Sequence, residues 1–370
     1  MLIGVSLALV ATSGSVQAAD RPASAPGWRV VQNLGPDSGA TDISATGQSN
    51  AWAAGVTYSP PSAPAFESLF VERWNGRAWH MIAVPKRFTD LPYPDLGSAE
   101  ISGASANRAL VVVFLSNNGG TETSQYRLIW NGHSWSTTKL PSISGTVEIA
   151  AFSGSDMWIF ESARRPYSLR YDGKGWRRTP LPAYPLGGVT ALSASDIWLA
   201  GSATNPDSRK PRVPVAMHWN GRAWRTLRLP NVRAPHGGVA TMGAGMIGLG
   251  PSELMTVATF PAPCCGGFLG KPGIVVVRWN GKSWRVLGEE TRDRVNGPIV
   301  ADGHGGMWIA GLTGKNASTT NIVHYGNGKF TRQVVRVGGQ DVQFFVMHLI
   351  PGTRSVWAAG SAGLILRYVS

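Results

Sequence analysis

Apolar residues in this chain come in short runs that end at turn residues. The clearest run spans residues 195–201 (SDIWLAG), where a Ser-Asp turn precedes an apolar segment with a tryptophan near its start. Seven copies occur, with the tryptophan or its equivalent at positions 52, 109, 158, 198, 255, 308 and 357. Apolar runs of this length, bounded by turn residues, predict short and well-buried strands.

A second pattern places a polar turn between two aromatic residues. Its clearest copy spans residues 219–224 (WNGRAW), and copies or variants begin at positions 74, 130, 171, 219, 279 and 325. Asn-Gly or Asp-Gly between apolar residues is a strong hairpin signal, because it suits a turn whose two central residues both adopt positive φ. Each copy therefore predicts an antiparallel hairpin.

The two patterns alternate strictly, and six hairpins accompany seven apolar runs. The missing half lies at the termini: Leu364–Tyr368 resembles a strand that enters such a hairpin, and Gly27–Val31 resembles a strand that leaves one. Repeats of roughly 50 residues with four strands each are typical of propeller blades. The sequence therefore predicts an all-β fold, a seven-bladed β-propeller of four-stranded antiparallel blades. The N-terminal strand is expected to join the last blade and close the ring.

This arrangement resembles secreted bacterial β-propeller repeat proteins, broadly of the sialidase-like and kelch-like kind, over residues 27–370. The resemblance implies the architecture and no specific functional family. The hairpin motif differs from the sialidase Asp-box, Ser-x-Asp-x-Gly-x-x-Trp, which has one more residue between its Asp and Gly. No sialidase catalytic residue is carried over, and propellers host enzymes, lectins and scaffolds alike.

The N-terminus has the features of an export signal. Leu2–Ala11 is an apolar run of signal-peptide length, and Val16–Ala18 supplies small residues for cleavage. We expect a signal peptide at residues 1–18, a short linker at 19–26 and a single propeller domain at 27–370, in a secreted protein. The alternative is an N-terminal anchor or an untranslocated apolar tail. No later stretch reaches the roughly 20 apolar residues of a membrane span, so no stable membrane insertion is expected.

Composition and charge narrow the classes of partner. The 46 Gly, 25 Pro and 15 Trp argue against a disordered chain, a helical bundle or a coiled coil. The Trp residues all fall within the repeats, where packing between blades explains them better than sugar stacking. The net charge of +13 would attract anionic partners such as acidic polysaccharides or cell-wall polymers. Nucleic acid is disfavoured by the export signal and by the lack of a nucleic-acid motif.

The two faces of the predicted ring differ. The short turns of both patterns share one face, here called the hairpin face, and the long segments share the other, here called the loop face. Variable loops on a rigid scaffold commonly carry binding residues, so we expect the ligand on the loop face. The alternative is that these are solvated loop charges. The candidate ligand-binding residues are Arg209, Lys210, Arg212, Arg87, Tyr93 and Tyr58.

A basic residue usually precedes the aromatic residue that ends each third strand. The positions are 73, 170, 218, 278, 324 and 367, and Ile129 is the exception. A structural interpretation is that these side chains stack on neighbouring Trp rings or cap turn carbonyls. A functional interpretation is a symmetric basic ring for a polyanion.

Residues with cofactor or metal chemistry are scarce. Cys264 and Cys265 are adjacent and could form a vicinal disulfide in an exported protein. Such a ring resembles one feature of the quinoprotein alcohol dehydrogenases, where it stacks on pyrroloquinoline quinone. Those propellers have eight blades and a Trp-docking repeat that this chain lacks, so no cofactor is expected. Two adjacent thiols supply only part of a tetrahedral shell, and no metal site is expected.

The sequence thus predicts a non-catalytic binding protein for an extracellular carbohydrate or other anionic polymer, monomeric and without catalytic residues. The alternatives are an extracellular glycoside hydrolase or lyase and a protein-interaction scaffold. An enzyme needs two or more carboxylates, or a Tyr–His–Arg set, at one end of the channel. A binder should show aromatic and cationic residues there, and a scaffold neither. Six carboxylates fall on predicted loops: Asp90, Asp95, Asp207, Glu289, Glu290 and Asp293.

Overall fold

A computed structural model shows a closed ring of seven four-stranded antiparallel sheets, which confirms the predicted seven-bladed β-propeller. The structure describes residues 26–59, 65–93, 95–117, 122–140, 147–161, 165–203, 213–230, 232, 241–250, 252–259, 273–313 and 319–370.

The N-terminal strand and the first four blades follow one another along the chain, and each blade is numbered from its innermost strand outward. The N-terminal strand is β1 (Gly27–Asn33). Blade 1 contains β2 (Ser38–Gly47), β3 (Asn50–Tyr58), β4 (Phe66–Trp74) and β5 (Trp79–Ile82), and the short β6 (Leu91–Pro92) also pairs with β4. Blade 2 contains β7 (Leu96–Ser105), β8 (Arg108–Asn117), β9 (Glu122–Trp130) and β10 (Trp135–Lys139); blade 3 contains β11 (Val147–Ser153), β12 (Asp156–Glu161), β13 (Tyr167–Tyr171) and β14 (Trp176–Pro180); and blade 4 contains β15 (Tyr184–Ser193), β16 (Asp196–Ser202), β17 (Pro214–Trp219) and β18 (Trp224–Arg228).

Blades 5 to 7 complete the ring, with a small hairpin between blades 6 and 7. The strands are in blade 5 β19 (Thr241–Gly250), β20 (Glu253–Thr259), β21 (Ile274–Trp279) and β22 (Trp284–Glu290); in blade 6 β23 (Arg294–Ala301), β24 (Met307–Thr313), β25 (Thr319–Gly326) and β26 (Lys329–Gln333); in the hairpin β27 (Arg336–Val337) and β28 (Gln340–Asp341); and in blade 7 β29 (Phe344–Leu349), β30 (Val356–Gly360) and β31 (Leu364–Val369). Two 3-10 turns lie at Lys86–Phe88 and Ser361–Gly363.

The two ends of the chain close the ring. β1 pairs antiparallel with β31, from Gly27 opposite Val369 to Asn33 opposite Leu364, and becomes the outermost strand of blade 7. The first strands of consecutive blades contact one another in order, and β29 of blade 7 contacts β2 of blade 1. The first strands therefore form the wall of the central channel.

The Asn-Gly hairpins form where the sequence predicts them, but the expected turn type is wrong in most blades. Both central residues have positive φ only in blade 6, at Asn327 (52°) and Gly328 (73°). In the four-residue loops only the glycine does, as at Gly221 (87°) in blade 4. There the Asn220 side-chain oxygen accepts hydrogen bonds from the backbone N–H groups of Arg222 (3.0 Å) and Ala223 (2.9 Å), which hold the turn.

Tryptophans pack between neighbouring blades, as the repeats predict. Trp158 in the second strand of blade 3 lies 5.3 Å from Trp219 and 6.1 Å from Trp224 of blade 4, measured between ring centroids. Trp357 of blade 7 lies in the same way against Trp74 and Trp79 of blade 1, at 5.2 and 5.1 Å. The same packing thus seals the contact between blades 7 and 1, where the ring closes. In the described part of the chain, no helix is long and apolar enough to cross a membrane.

Candidate functional site

The basic residue that precedes the last aromatic residue of each third strand contacts groups within its own blade. In blade 3, Arg170 donates to both carboxylate oxygens of Asp156 at 3.0 and 2.8 Å, and its Cζ lies 5.0 Å from the Trp158 ring. In blade 4, His218 lies 2.9 Å from the Asp196 carboxylate and stacks on Trp198 at 4.0 Å. The predicted stacking on tryptophan rings is therefore confirmed in these blades, and the carboxylate partners are an addition that the sequence pattern did not predict.

The remaining third-strand cations have equivalent partners in their blades. Arg73 and Arg367 lie over tryptophan rings, His324 pairs with Asp302 and stacks on Trp308, and Arg278 pairs with Glu253. Each of these basic residues thus has a carboxylate or a tryptophan ring as a partner within its own blade, which favours a structural role over a basic ring for a polyanion.

Three carboxylates lie at the same position of the first strands of blades 1, 2 and 3. Asp42, Glu100 and Glu148 each stand five residues before the last residue of their strand. They form what we call the acidic cluster of the channel wall. The equivalent position in blades 4 and 5 is Gly188 and Gly245, so the acidic cluster occupies one side of the ring.

Hydrogen bonds tie the acidic cluster to the backbone of the next blade. The Ile101 N–H of blade 2 donates to Asp42 Oδ2 at 2.7 Å, and the Gly188 N–H of blade 4 donates to Glu148 Oε1 at 3.0 Å. First strands have one edge without a neighbouring strand, and buried N–H groups need acceptors. Asp42 and Glu148 therefore link neighbouring blades at the channel.

Burial raises the pKa of each member of the acidic cluster. The pKa of Asp42 rises to about 7, because burial outweighs the hydrogen bonds from Ile101 and Ile43. Burial and the nearby Asp42 raise the pKa of Glu100 well above its usual range, and Glu100 donates a hydrogen bond to Asp42. Burial also raises the pKa of Glu148. The cluster can thus hold a proton near neutral pH. Within the described residues, no group of three His, Cys, Asp or Glu side chains could hold a metal ion.

An open polar pocket of about 760 Å³ lies on the loop face between blades 6 and 7. Hydroxyl, amide and charged side chains line it, and Arg336 Nε donates to Asp341 Oδ1 at 2.7 Å across its edge. The lining residues are Thr320, Arg336, Gly339, Gln340, Asp341, Gln343 and Ser361. The pocket therefore offers donors and acceptors to a polar ligand rather than an apolar slot.

The β27–β28 hairpin builds one wall of this pocket. Its two-residue turn, Gly338-Gly339, has φ of 59° and 82°, which glycine adopts without steric cost. The other wall is held by Ser361, whose N–H donates to the Gln343 carbonyl at 2.9 Å and whose Oγ accepts from the Gln343 N–H at 3.1 Å. The pocket walls are thus fixed by backbone hydrogen bonds.

The structure brings two of the predicted ligand-binding residues together. Tyr58, at the end of β3, and Tyr93, after β6, are 42% and 59% exposed, and their rings lie 6.4 Å apart. Arg87 lies apart from this pair, with its Cζ 5.5 Å from the Tyr126 ring of blade 2. The described residues therefore include an exposed aromatic pair on the loop face of blade 1.

Several predicted residues lie outside the described part of the chain. They are Arg209, Lys210, Arg212, Cys264 and Cys265, together with the whole predicted signal peptide and nearly all of the linker.

Two of the six carboxylates that the sequence places on loops are held in ion pairs in the structure. Asp293 is fully buried, and Arg332 binds it at 2.6 Å and Glu290 at 2.8 Å. Asn321 also donates to Asp293, at 2.7 Å. These contacts join the outer strands of blades 5 and 6, which gives both carboxylates a structural role.

The pocket and the acidic cluster are not among the features predicted from the sequence, although both leave a trace in it. Gly338-Gly339 between Val337 and Gln340 is a two-residue hairpin signal. Counting back five residues from the end of each first strand would have aligned the three acids of the cluster. Only the structure shows what they contact.

Comparison with solved structures places the chain among β-propellers. YCF48 bound to D1 peptide matches with a TM-score of 0.58 and 14% identity, over 96% of this chain and 100% of that chain. YCF48 from Cyanidioschyzon merolae matches with a TM-score of 0.59 and 13% identity, over 92% and 98%. The Niastella koreensis GH74 enzyme matches with a TM-score of 0.56 and 11% identity, over 90% of this chain and 52% of that chain.

These similarities show the fold alone, because every identity is low. No family model matches the chain, and no curated protein matches it. The propeller part of the resemblance to secreted repeat proteins is thereby supported, and the narrower sialidase-like or kelch-like type is not.

Proposed function

We propose that this is a secreted, non-catalytic protein that binds an extracellular carbohydrate, or an anionic polymer of that kind, through its loop face. The polar pocket between blades 6 and 7 carries the proposal. Sugar hydroxyls bind where donors and acceptors converge on a concave surface, and this pocket offers amides, hydroxyls and an Arg–Asp pair.

The exposed Tyr58–Tyr93 pair supports the same proposal. Tyrosine presents a flat apolar ring with a polar end, and such rings suit the apolar face of a sugar. The pair lies on the loop face of blade 1, next to blade 7 in the ring. A polymer of several sugars could therefore contact the pocket and the ring pair together.

The test is a glycan-array screen of the full chain at two salt concentrations, beside two double variants. Arg336→Ala with Gln340→Ala removes two pocket side chains, and we expect at least about a tenfold loss of affinity. Arg77→Ala with Gln48→Ala removes the same residue types from the exposed hairpin face of blade 1 and should leave binding unchanged. Absence of binding to every glycan, or equal loss in both variants, would contradict the proposal.

The acidic cluster is the one observation that favours the second candidate, an extracellular carbohydrate-active enzyme. A glycoside hydrolase or lyase needs two or more carboxylates close together in the channel, and the acidic cluster supplies three. However, Asp42 and Glu148 accept hydrogen bonds from backbone N–H groups of the neighbouring blade, which favours a role in linking blades over a catalytic role. Mass analysis of the screened glycans separates the two: cleaved products that disappear with Glu100→Gln would establish the enzyme.

A further inference from the structure

A row of exposed cations runs along the hairpin face over blades 3, 4 and 5. Each blade contributes the third residue of its hairpin loop and the second residue of its outermost strand, and all six side chains are exposed. We call these residues the basic rim: Lys174 and Arg177, Arg222 and Arg225, and Lys282 and Arg285.

The basic rim lies farther out along the blades than the third-strand basic residues, which have partners within their own blades. In blade 4, Arg225 is directly opposite His218 across the strand pair, and the carboxylate of Asp196 binds His218. Asp196 therefore pairs with His218 rather than with Arg225. Blades 3 and 5 repeat this arrangement, with Arg177 opposite Arg170 and Arg285 opposite Arg278.

Few carboxylates lie close to the cations of the basic rim. Asp172 lies 3.3 Å from Arg177, where it also accepts the N–H groups of its own hairpin. Among the described residues, no carboxylate lies within ion-pair distance of Arg222, Arg225 or Arg285. These exposed arginines therefore give this part of the hairpin face a positive charge, which attracts an anionic partner.

We propose that the basic rim binds a linear acidic polysaccharide, whose carboxylate or sulfate groups pair with the cations of successive blades. Four of its six cations are arginines, and the guanidinium fork matches the planar geometry of a carboxylate. Three consecutive blades offer the same pair of cations, so a repeating polymer meets the same contact again at each blade. This proposal rests on the proposed extracellular location and goes beyond the loop-face pocket.

The surroundings of the rim disfavour other polyanions. The hairpin loops of blades 4 and 5 (NGRA and NGKS) hold no large apolar side chain that would enter a lipid surface. Binding of single-stranded nucleic acid uses exposed rings for base stacking. Trp224 is instead packed on Phe160 and Trp158 of blade 3, and Trp284 donates to the Arg228 carbonyl of blade 4 at 3.2 Å.

The test measures binding of the full chain to polygalacturonate, which has one carboxylate per sugar, and to its neutral methyl ester. A rim variant carries Arg222→Gln, Arg225→Gln and Arg285→Gln. A control variant carries Lys86→Gln, Lys139→Gln and Arg165→Gln, three exposed cations outside the rim, and has the same net charge. We expect the rim variant to lose about tenfold in affinity at low salt, with a weaker salt dependence, and the control to bind normally.

Each other outcome overturns the proposal. Equal loss in both variants shows attraction by net charge alone, and loss only in the control places the anion on the loop face. Equal binding of the methyl ester excludes carboxylate recognition. Binding of anionic lipid vesicles or single-stranded DNA, without polygalacturonate, assigns the rim to a different partner. If the Arg336→Ala, Gln340→Ala variant binds glycans as well as the unchanged protein, while the rim variant alone loses polygalacturonate binding, the proposed function is contradicted and this inference stands.

Discussion

At the residue scale, the carboxylates of this protein differ in whether a cation lies beside them. Asp156 and Asp196 each pair with a third-strand cation. In the described part of the chain, no cation pairs with the half-buried Asp42 or the buried Glu72, and burial raises the pKa of both to about 7. Carboxylates therefore form ion pairs in one part of the ring, and in another part they can carry a proton near neutral pH.

Glu72 supplies the clearest pH prediction. It is 3% exposed, Gln32 of β1 donates to its Oε1 at 3.2 Å, and its Oε2 has no partner. Because the pKa is raised on folding, the folded state is most favoured at low pH. Stability falls as pH rises from about 4.5 to about 7, by at most about 3 kcal/mol. Glu72→Gln should remove this loss, since the amide mimics the protonated acid.

Urea unfolding of both proteins at pH 4.5 and pH 8 checks this prediction. The two should have similar free energies of unfolding at pH 4.5, and the variant should be more stable at pH 8. A difference that is the same at both pH values would show that ionisation of Glu72 is not its cause.

At the element scale, neighbouring blades pack closely because a tryptophan in the second strand of one blade lies against a glycine in the first strand of the next. Trp52 of β3 is fully buried, lies against Gly103 of β7 and donates to the Ser105 carbonyl at 3.0 Å. Trp198 of blade 4 meets Gly248 of blade 5 in the same way, where an added Cβ would lie 2.7 Å from Cδ1. The second strand of one blade thus packs on the first strand of the next.

Gly103→Ala should destabilise the protein by about 1–3 kcal/mol, because its Cβ would overlap the Trp52 ring in a close-packed interface. Gly97→Ala is the matched control in the same strand, since its Cβ would meet its nearest neighbour, the Phe114 carbonyl oxygen, at 3.6 Å. Chemical unfolding of the three proteins measures both changes. An equal effect of the two substitutions would show that glycine loss, and not the tryptophan contact, matters.

At the scale of the whole molecule, ring closure depends on a strand from the opposite end of the chain. Trp28 of β1 packs against Phe344 at 4.9 Å, Tyr368 at 5.5 Å and Trp308 of blade 6 at 5.7 Å. Without β1, the edge of β31 would be exposed, and exposed edges pair with other chains. The N-terminal strand therefore protects blade 7 as well as completing it.

A chain that begins at Leu34 should melt about 10 °C or more below a chain that begins at Pro26. It should also self-associate as its concentration rises, because the β31 edge is open. Thermal unfolding and light scattering after size-exclusion chromatography measure the two effects. Equal melting temperatures and monomeric behaviour of both chains would contradict this role of β1.

Much of the candidate site could not be predicted from the sequence. The loop face follows from repeat spacing, since topology decides which loops share a face. That Tyr58 and Tyr93 lie together is a result of the tertiary structure. The pocket depends on how the β27–β28 hairpin lies against Ser361, a contact between segments 20 residues apart. The use of Asp42 depends on an N–H group of the next blade, which a pattern within one blade does not reveal.

The sequence by itself determined the number of blades, their strand order and the closing strand, because turn chemistry and apolar periodicity are local and repeat seven times. The tertiary structure decided which charges are available. Asp196 pairs with His218, whereas Arg225 is exposed, although both basic residues are equally visible in the sequence. The physical reason is that charge, pKa and access depend on neighbours brought together across strands and blades, whereas a strand or a turn is specified by adjacent residues.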